Sequence, residues 1–540
     1  MRKISYNWNM ELIAKLWKNF KLQPEIWFFY GFLLTFTLTI RKVLWFFPLR
    51  GEFNEYSGAY LYLSDIFLGL IIIAWIIIIL YNKIDILSML YDVPPQKQKD
   101  CSTWNNSLLR GKRETLIYIL LPLVLVAWSF ISLIWAENEI VTIFRSVKML
   151  EFYLLYIFVL IRFFCWNTKN NVPRGTLLKK IFGLVMIIGL FQAIIGIGQF
   201  ILQHSIGLFW LKESLISSNI SGVAKVIFNG EVFIRAYGLF PHPNILGGFL
   251  LFSILISLFY YKMFHSGGNV PPQKQENCST PEAKGLFHVE QSFAPGQAWN
   301  MLYGKYGTII FKLILGVQLL VLILTFSKSA IIGLFLGLIY FAYVSSRKEC
   351  STWNIPRDKR GTFFSYLRKK KRLILATSLI IVFAFIVAKP DLHSFFTKSL
   401  NDRWVYINVS RGTIWDNPIL GIGSGQFVIN MENMLIIKEN WMLEPVHNVF
   451  LLVWSELGII GFFILILFIG FILKGMFHVE HSTEQVRNMP ELAKTFGAIF
   501  VGLLFVMFFD HYLWDIQQGS FLLWMTMGFL VGAGECKDSV

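Results

Sequence analysis

Ile71-Ile72-Ile73-Ala74-Trp75-Ile76-Ile77-Ile78-Ile79-Leu80 runs ten residues without a charge. An apolar run of this kind, hydrophobic on every side, reads as part of a bilayer span. Similar runs recur throughout the 540 residues, of which 55% are hydrophobic and 15% charged. The mean hydropathy is +0.57. A soluble chain of this length needs far more polar surface. The 52 Phe, 20 Tyr and 18 Trp suit aromatic belts at two membrane interfaces.

The pattern predicts an all-α polytopic membrane protein with about twelve spans of roughly 20 residues each. They are placed near 25–44, 62–82, 115–135, 140–162, 179–202, 245–264, 306–325, 329–346, 372–388, 448–473, 491–509 and 519–534, within a membrane domain over 24–534. Residues 1–23 are amphipathic and basic, lack a cleavable signal, and are expected on the cytoplasmic surface.

The net charge of +16 comes from Lys and Arg gathered in short loops, near 83–113, 163–180 and 347–372, with Arg368-Lys369-Lys370-Lys371-Arg372 the densest run. Positive residues favour the cytoplasmic side, so these loops face inward and the C-terminus lies inside with them. No basic helix or aromatic-interleaved patch stands outside the spans, which argues against nucleic acid as a partner. The five Cys form no Cys-x-x-Cys pair, so neither a zinc site nor a disulfide framework is indicated.

Two long loops fall on the outer side, 204–244 and 389–447. The second is too long for a mere connection and is expected to hold short helices.

Several words repeat. Cys101-Ser102-Thr103-Trp104-Asn105 returns at Cys350-Ser351-Thr352-Trp353-Asn354, and Phe287-His288-Val289-Glu290 returns at Phe477-His478-Val479-Glu480. With Val172-Pro173-Arg174-Gly175-Thr176 they are the three reading frames of one palindromic DNA word, TGTTCCACGTGGAACA. The gene is therefore read as carrying a repeatedly inserted element, near 93–105, 171–176, 269–291, 350–362 and 476–482; unrelated codons at these sites would contradict this. His288, His478 and His481 then drop out as metal or catalytic candidates. Every copy falls in a predicted cytoplasmic loop, where insertions are tolerated, which leaves the chemistry to the outer side.

Five outer segments carry chemistry-bearing residues. Arg235 to Asn244 holds Pro241 and Pro243, which stop regular structure. Asn244 suits a helix cap, and Arg235 suits either a bidentate phosphate or lipid headgroups. Thr325-Phe326-Ser327-Lys328-Ser329 leaves almost no room between two spans. It reads as a tight turn whose Lys328 needs water or an anion nearby.

The large outer loop offers Arg403 and, with Trp415 at helical spacing, Arg411. Its Gly421-x-Gly423-x-Gly425 follows no strand, so it reads as a turn or as room for a headgroup rather than a nucleotide loop. His447 stands where that loop meets a span, and its near-neutral intrinsic pKa suits it to take a proton from a hydroxyl. Glu456 lies more than two turns deeper, too far round to pair with His447. Lastly, Asp510 to Gln518 is dense in polar and aromatic groups around His511, as a saccharide site or an interfacial belt would be.

Together these segments resemble the O-antigen ligase and polymerase family. The likeness rests on Arg235 to Asn244, Thr325 to Ser329, Arg403 through Gly421 to Phe427, and Pro445-Val446-His447-Asn448 through Glu456-Leu457-Gly458. It spans roughly 180–530, in family order, and departs from it where Lys328 replaces a common Arg. The resemblance implies a helical membrane glycosyltransferase of the GT-C-like kind. It would use an undecaprenyl-diphosphate-linked glycan, invert the sugar linkage, and need neither metal nor cofactor.

Arg235, Arg403 and His447 match the family's catalytic residues, with Arg411 the alternative if the loop register is shifted. Lys328, Asn244, Glu456 and His511 are the expected donor- or substrate-binding residues. The acceptor is expected to be a lipid, glycan or protein, and the location an inner membrane with the site facing outward. A transporter would instead show repeated halves and mid-membrane charges, and a flippase of lipid-linked glycan is the nearer rival.

Overall fold

The computed structural model describes residues 23–81, 104–165, 174–228, 230–266, 305–346, 392–434, 442–478 and 491–535. The elements, in chain order, are α1 Pro24–Thr35, β1 Arg41–Phe46, β2 Gly58–Tyr62, α2 Leu63–Tyr81, α3 Trp104–Ile131, α4 Glu139–Leu160, α5 Arg174–Leu202, β3 Lys225–Phe228, β4 Glu231–Ile234 and α6 Pro243–Ser266. There follow α7 Lys305–Leu324, α8 Lys328–Ser346, α9 Leu392–Asp416, α10 Phe427–Met434, α11 Val449–His478, α12 Glu491–Met507, the single turn α13 Tyr512–Asp515, and α14 Gln517–Glu535.

Among the described residues, six helical segments are long and apolar enough to cross a membrane: Leu63–Tyr81, Leu116–Ile134, Thr176–Leu202, Pro243–Lys262, Lys328–Ser345 and Val449–Met476. The protein is a helical membrane protein.

Several expectations need correction. The twelve-span count is not reached among the described residues; the span placed at 372–388 lies outside them. The one at 25–44 is a helix of 12 residues followed by a strand. Pro24 opens α1 where its missing N–H costs nothing, but Val43, Trp45 and Phe46 prefer an extended backbone. They pair antiparallel with Gly58–Tyr62, with a register shift between Val43 and Trp45.

Of the short helices expected in 389–447, the described residues show one of 8 residues, Phe427–Met434, beside a longer one of 25, Leu392–Asp416. The basic loop near 347–372 and residues 1–22 lie outside the described residues. So do most of the repeated words, whose described parts are helical: 104–105 open α3, 174–176 open α5 and 476–478 close α11.

The core is built from bulky apolar side chains, with Phe29, Phe32, Tyr156, Phe182, Phe249 and Phe252 nearly inaccessible. Where helices must approach closely, small residues replace them. A Cβ on Gly333 would come within 2.7 Å of the Gly502 carbonyl oxygen, and one on Gly337 within 2.6 Å of that of Ala498, so α8 and α12 touch backbone to backbone. Charges inside the bundle are paired: Arg162 donates to Glu25 at 2.9 Å, and Lys148 bonds Asp65 and, at 3.0 Å, Glu151. Buried ions need such partners.

The Gly421–Gly425 stretch and the Glu456-Leu457-Gly458 stretch explain each other. α11 is broken at Gly458, whose φ is 66°. The break frees backbone groups, which cannot stay unsatisfied away from water. The loop supplies the partners: Ile422 N–H donates to Ser455 O at 3.0 Å, Gly423 N–H to Glu456 O at 2.8 Å, and Ile459 N–H to Pro418 O at 3.0 Å. Added Cβ atoms would meet Ile419 O at 2.1 Å from Gly458 and Glu456 O at 2.4 Å from Gly421.

These glycines therefore serve a close backbone dock. Gly458→Ala is expected to destabilise the protein by about 1–3 kcal/mol through backbone strain alone, before the clash is counted. A thermal melt in detergent checks this; an unchanged midpoint contradicts the dock.

Candidate active site

One end of the bundle gathers the segment before α6, the α7–α8 turn, α9, the segment entering α11, and the α12–α14 turn. Arg235 is held from two sides. Its Nε donates to Thr325 O at 2.6 Å and its Nη2 to Asn244 Oδ1 at 2.5 Å. Asn244 passes the chain on, donating from Nδ2 to Asp510 Oδ2 at 2.6 Å. Asp510 Oδ1 accepts the His511 N–H at 2.9 Å, and His511 Nδ1 meets both Asp515 oxygens at 2.8 and 2.9 Å. Finally Arg145 donates to Asp515 O at 2.6 Å and to Tyr56 O at 3.1 Å. A continuous hydrogen-bonded chain thus runs from Arg235 to Arg145.

Asn244 is not the cap it was expected to be, since both ends of its amide are engaged by side chains. Capping falls to His242, whose Nδ1 accepts the Asn244 N–H at 3.2 Å. Burial, and then the Arg235 charge, push His242 down to about 3, so its ring stays neutral and able to accept. At α11 the cap is Asn448, whose Oδ1 accepts the Leu451 N–H at 2.9 Å. His447 is left free of that task.

The His447 ring lies stacked on Tyr406, centroids 5.6 Å apart, and edge-on to His511 at 5.1 Å. Its Nε2 is 3.8 Å from Glu444 Oε2, beyond hydrogen-bond range. Its Nδ1 has no hydrogen-bond partner among the described residues. The side chain keeps 19% of its surface open, although Nδ1 itself is buried. Burial and the neighbouring His511 push His447 down to about 3. It is neutral at physiological pH, as a proton acceptor must be.

His511 behaves oppositely. Burial works against its charge, but the carboxylates of Asp515, Asp510 and Glu444 outweigh that and hold it up at about 9. Asp510 is held below its ordinary range: burial opposes its ionisation, but the surrounding imidazoles and Arg403 win. His511 and Asp510 are both ionised near neutrality.

Arg403 stands in α9 and finds no hydrogen bond or ion pair among the described residues. Its charge is felt by Arg235, His447, Asp510 and Lys328. Burial lowers Arg235 to about 10, a value at which it is still protonated near neutrality. Three cations, Arg235, Lys328 and Arg403, therefore share one pole, and their mutual repulsion calls for an anion.

The structure brings together His447, Arg403, Arg235, Asn244, Lys328 and His511. It does not bring Arg411, which is exposed two turns further along α9. Nor does it bring Glu456, whose Oε1 faces the Phe427 N–H at 3.4 Å as part of the loop dock. Sequence reasoning passed over Asp510, Asp515, Tyr56 and Arg145. Asp510 and Asp515 stood in a segment already marked as polar, whereas Tyr56 and Arg145 carry no local signal.

Residues 313–466 match the model of the O-antigen ligase family. The chain carries an O-antigen ligase domain. The matched residues include Lys328, Arg403, Arg411, His447 and Glu456, while Arg235, Asn244 and His511 lie outside them, with Arg235 hydrogen-bonded to the matched Thr325. A comparison with curated proteins gives no match. The protein is thus an O-antigen ligase- or polymerase-like membrane enzyme.

Proposed function

We propose that this enzyme transfers a glycan from undecaprenyl diphosphate to an acceptor hydroxyl at the outer face of the cytoplasmic membrane. One observation carries this reading: a neutral, partly open imidazole, His447, shares a pole with Arg403, Arg235 and Lys328.

In the reaction the acceptor oxygen forms a bond to the anomeric carbon, and the bond from that carbon to the phosphate oxygen breaks. The electron pair leaves on the diphosphate, where the cations stabilise it. The acceptor proton passes to His447. A base depressed to about 3 is weak, but the diphosphate brings negative charge beside it and raises its proton affinity. Attack opposite the leaving group inverts the linkage, and no metal is assigned a role.

The acceptor decides whether such an enzyme is a ligase, a polymerase or a protein O-glycosyltransferase. Purified protein in liposomes, given a lipid-linked glycan and candidate acceptors, is expected to release one undecaprenyl diphosphate per new, inverted linkage. Movement of the intact lipid-linked glycan across the bilayer without a new linkage would favour a flippase and sink this reading.

His511 supplies a pH signature. Its proton is present below its ordinary value of about 6.5 and is lost as pH rises through about 9. The charge-paired stabilisation from Asp515 goes with it. Thermal stability is expected to fall as pH rises from about 6.5 to about 9, and kcat/KM to fall as pH passes through about 9, with His511→Gln removing both steps. A profile whose alkaline limb is unchanged in His511→Gln would contradict the assignment.

A further inference from the structure

The chain leaving α5 folds back onto the span it has just completed. α5 contains the membrane-crossing segment Thr176–Leu202. Its exposed side chains Ile187, Phe191, Ile194 and Ile201 recur at helical spacing and form one apolar stripe. A span bares such a face to lipid. Gly198 falls on the same stripe, and a Cβ there would meet Ile206 Cδ1 at 2.7 Å. Ile206 comes after the helix end at Leu202, yet it lies beside the last turn, on the lipid-facing side. Lys180 is the last charge in α5, and Gly198 follows it by 18 residues. That is about 27 Å of rise, inside the roughly 30 Å of hydrocarbon.

The next residues are bare and apolar. Phe209 and Trp210 open the single 3-10 turn Phe209–Leu211, and they are 68% and 96% exposed. Tryptophan favours the headgroup level of a bilayer. Lys212, exposed beside them, has a stem long enough to carry its ammonium out to the phosphates.

The backbone suits the same surroundings. A loop in lipid finds no water for its N–H groups, so they must be satisfied from within. Glu213 does this. Its carboxylate accepts the Ile206, Gly207 and Leu208 N–H groups at 2.8, 2.9 and 2.7 Å, and Gln199 Nε2 at 2.9 Å. Burial opposes its ionisation, but these donors outweigh burial and hold it below its ordinary range. The Phe209 and Leu211 N–H groups donate to Gly207 O at 2.9 Å and Leu208 O at 3.0 Å.

We infer that residues 206–211 lie in the lipid as an anchor, with Trp210 at headgroup level, rather than in water. The partner is the bilayer itself, because the patch is continuous with the stripe by which α5 already meets lipid. The anchored turn leads through β3 and β4 to Arg235. This arm is tied to the end of α5 where Ile234 N–H donates to Gln203 Oε1 at 2.7 Å, and closed on itself where Arg235 N–H donates to Ala224 O at 3.2 Å. The inference stands whether or not the proposed reaction does.

Spin labels test it in the full-length chain with its five natural cysteines as Ser, held in nanodiscs of phosphatidylethanolamine and phosphatidylglycerol. Labels are placed by Phe209→Cys, by Trp210→Cys and, for comparison, by Trp415→Cys. Oxygen, which enters lipid, should relax the labels at 209 and 210 more than a water-soluble nickel chelate does. At 415 the order should reverse. Trp210→Asp should shift the label at 209 towards nickel. Nickel dominating at both 209 and 210 overturns the inference, and so does protection from both reagents, which would mean a second protein chain covers the turn. An unchanged ratio at 209 in Trp210→Asp would overturn Trp210 as the anchor.

Discussion

His447→Ala is expected to lower glycan transfer by about 10²- to 10⁴-fold, the usual contribution of a positioned general base, with the protein still inserted in the membrane at normal levels. In barrier terms that is about 3–5.5 kcal/mol. The size follows from the geometry. Among the described residues no other neutral imidazole stands in its place: His242 is engaged as a helix cap, and His511 is protonated and held by Asp515. The loss should not come from unfolding, because the helix that follows is capped by Asn448 and not by His447. Transfer assayed with lipid-linked glycan and acceptor, alongside a thermal melt, checks both halves. Full activity in this variant would remove the imidazole from the mechanism.

Arg403→Ala is expected to cost about 10²–10³-fold in kcat, the range for losing one donor aimed at developing negative charge. Arg411→Ala should change the rate less than twofold. The two arginines lie on one helix, eight residues apart, which is about 12 Å of rise. Arg403 bears on Arg235, His447 and Lys328, whereas Arg411 is exposed. Arg403→Lys should recover only part of the loss, since an ammonium keeps the charge but not the planar fork. If Arg411→Ala were the dead variant and Arg403→Ala the live one, α9 would act in a different register from the one seen.

The helices could be read from the sequence because apolar runs obey a single physical demand, that of the bilayer. Helices stand within a few residues of the apolar runs near 140–162, 245–264, 306–325 and 519–534, although of these four only Pro243–Lys262 is long and apolar enough to cross a membrane. Strand β1 could not be read in this way: Val43-Leu44-Trp45-Phe46 is as apolar as a span end, and only its pairing with Gly58–Tyr62 decides its conformation.

His447, Arg403 and Arg235 were each visible as an ionisable group at a membrane edge. What joins them was not. Asn244 looked like a cap because a cap is a local signal, while its actual partners, Arg235 and Asp510, lie 9 and 266 residues away. Glu456 stood out as a charge inside a span, yet its backbone carbonyl serves a dock that only the Gly458 break makes necessary. Choosing between Arg403 and Arg411 required knowing which turn of α9 faces the cation pole.

The proposed reaction requires the reacting groups to lie at the exterior surface of the membrane. The most direct test is to substitute Trp415, which is 86% exposed on the helix that carries Arg403, as Trp415→Cys in a chain whose five natural cysteines are Ser. An impermeant maleimide is then added to intact cells and to inverted vesicles. Labelling in intact cells, with none in sealed inverted vesicles, is the predicted result; labelling only in inverted vesicles would put the site in the cytosol and contradict the account.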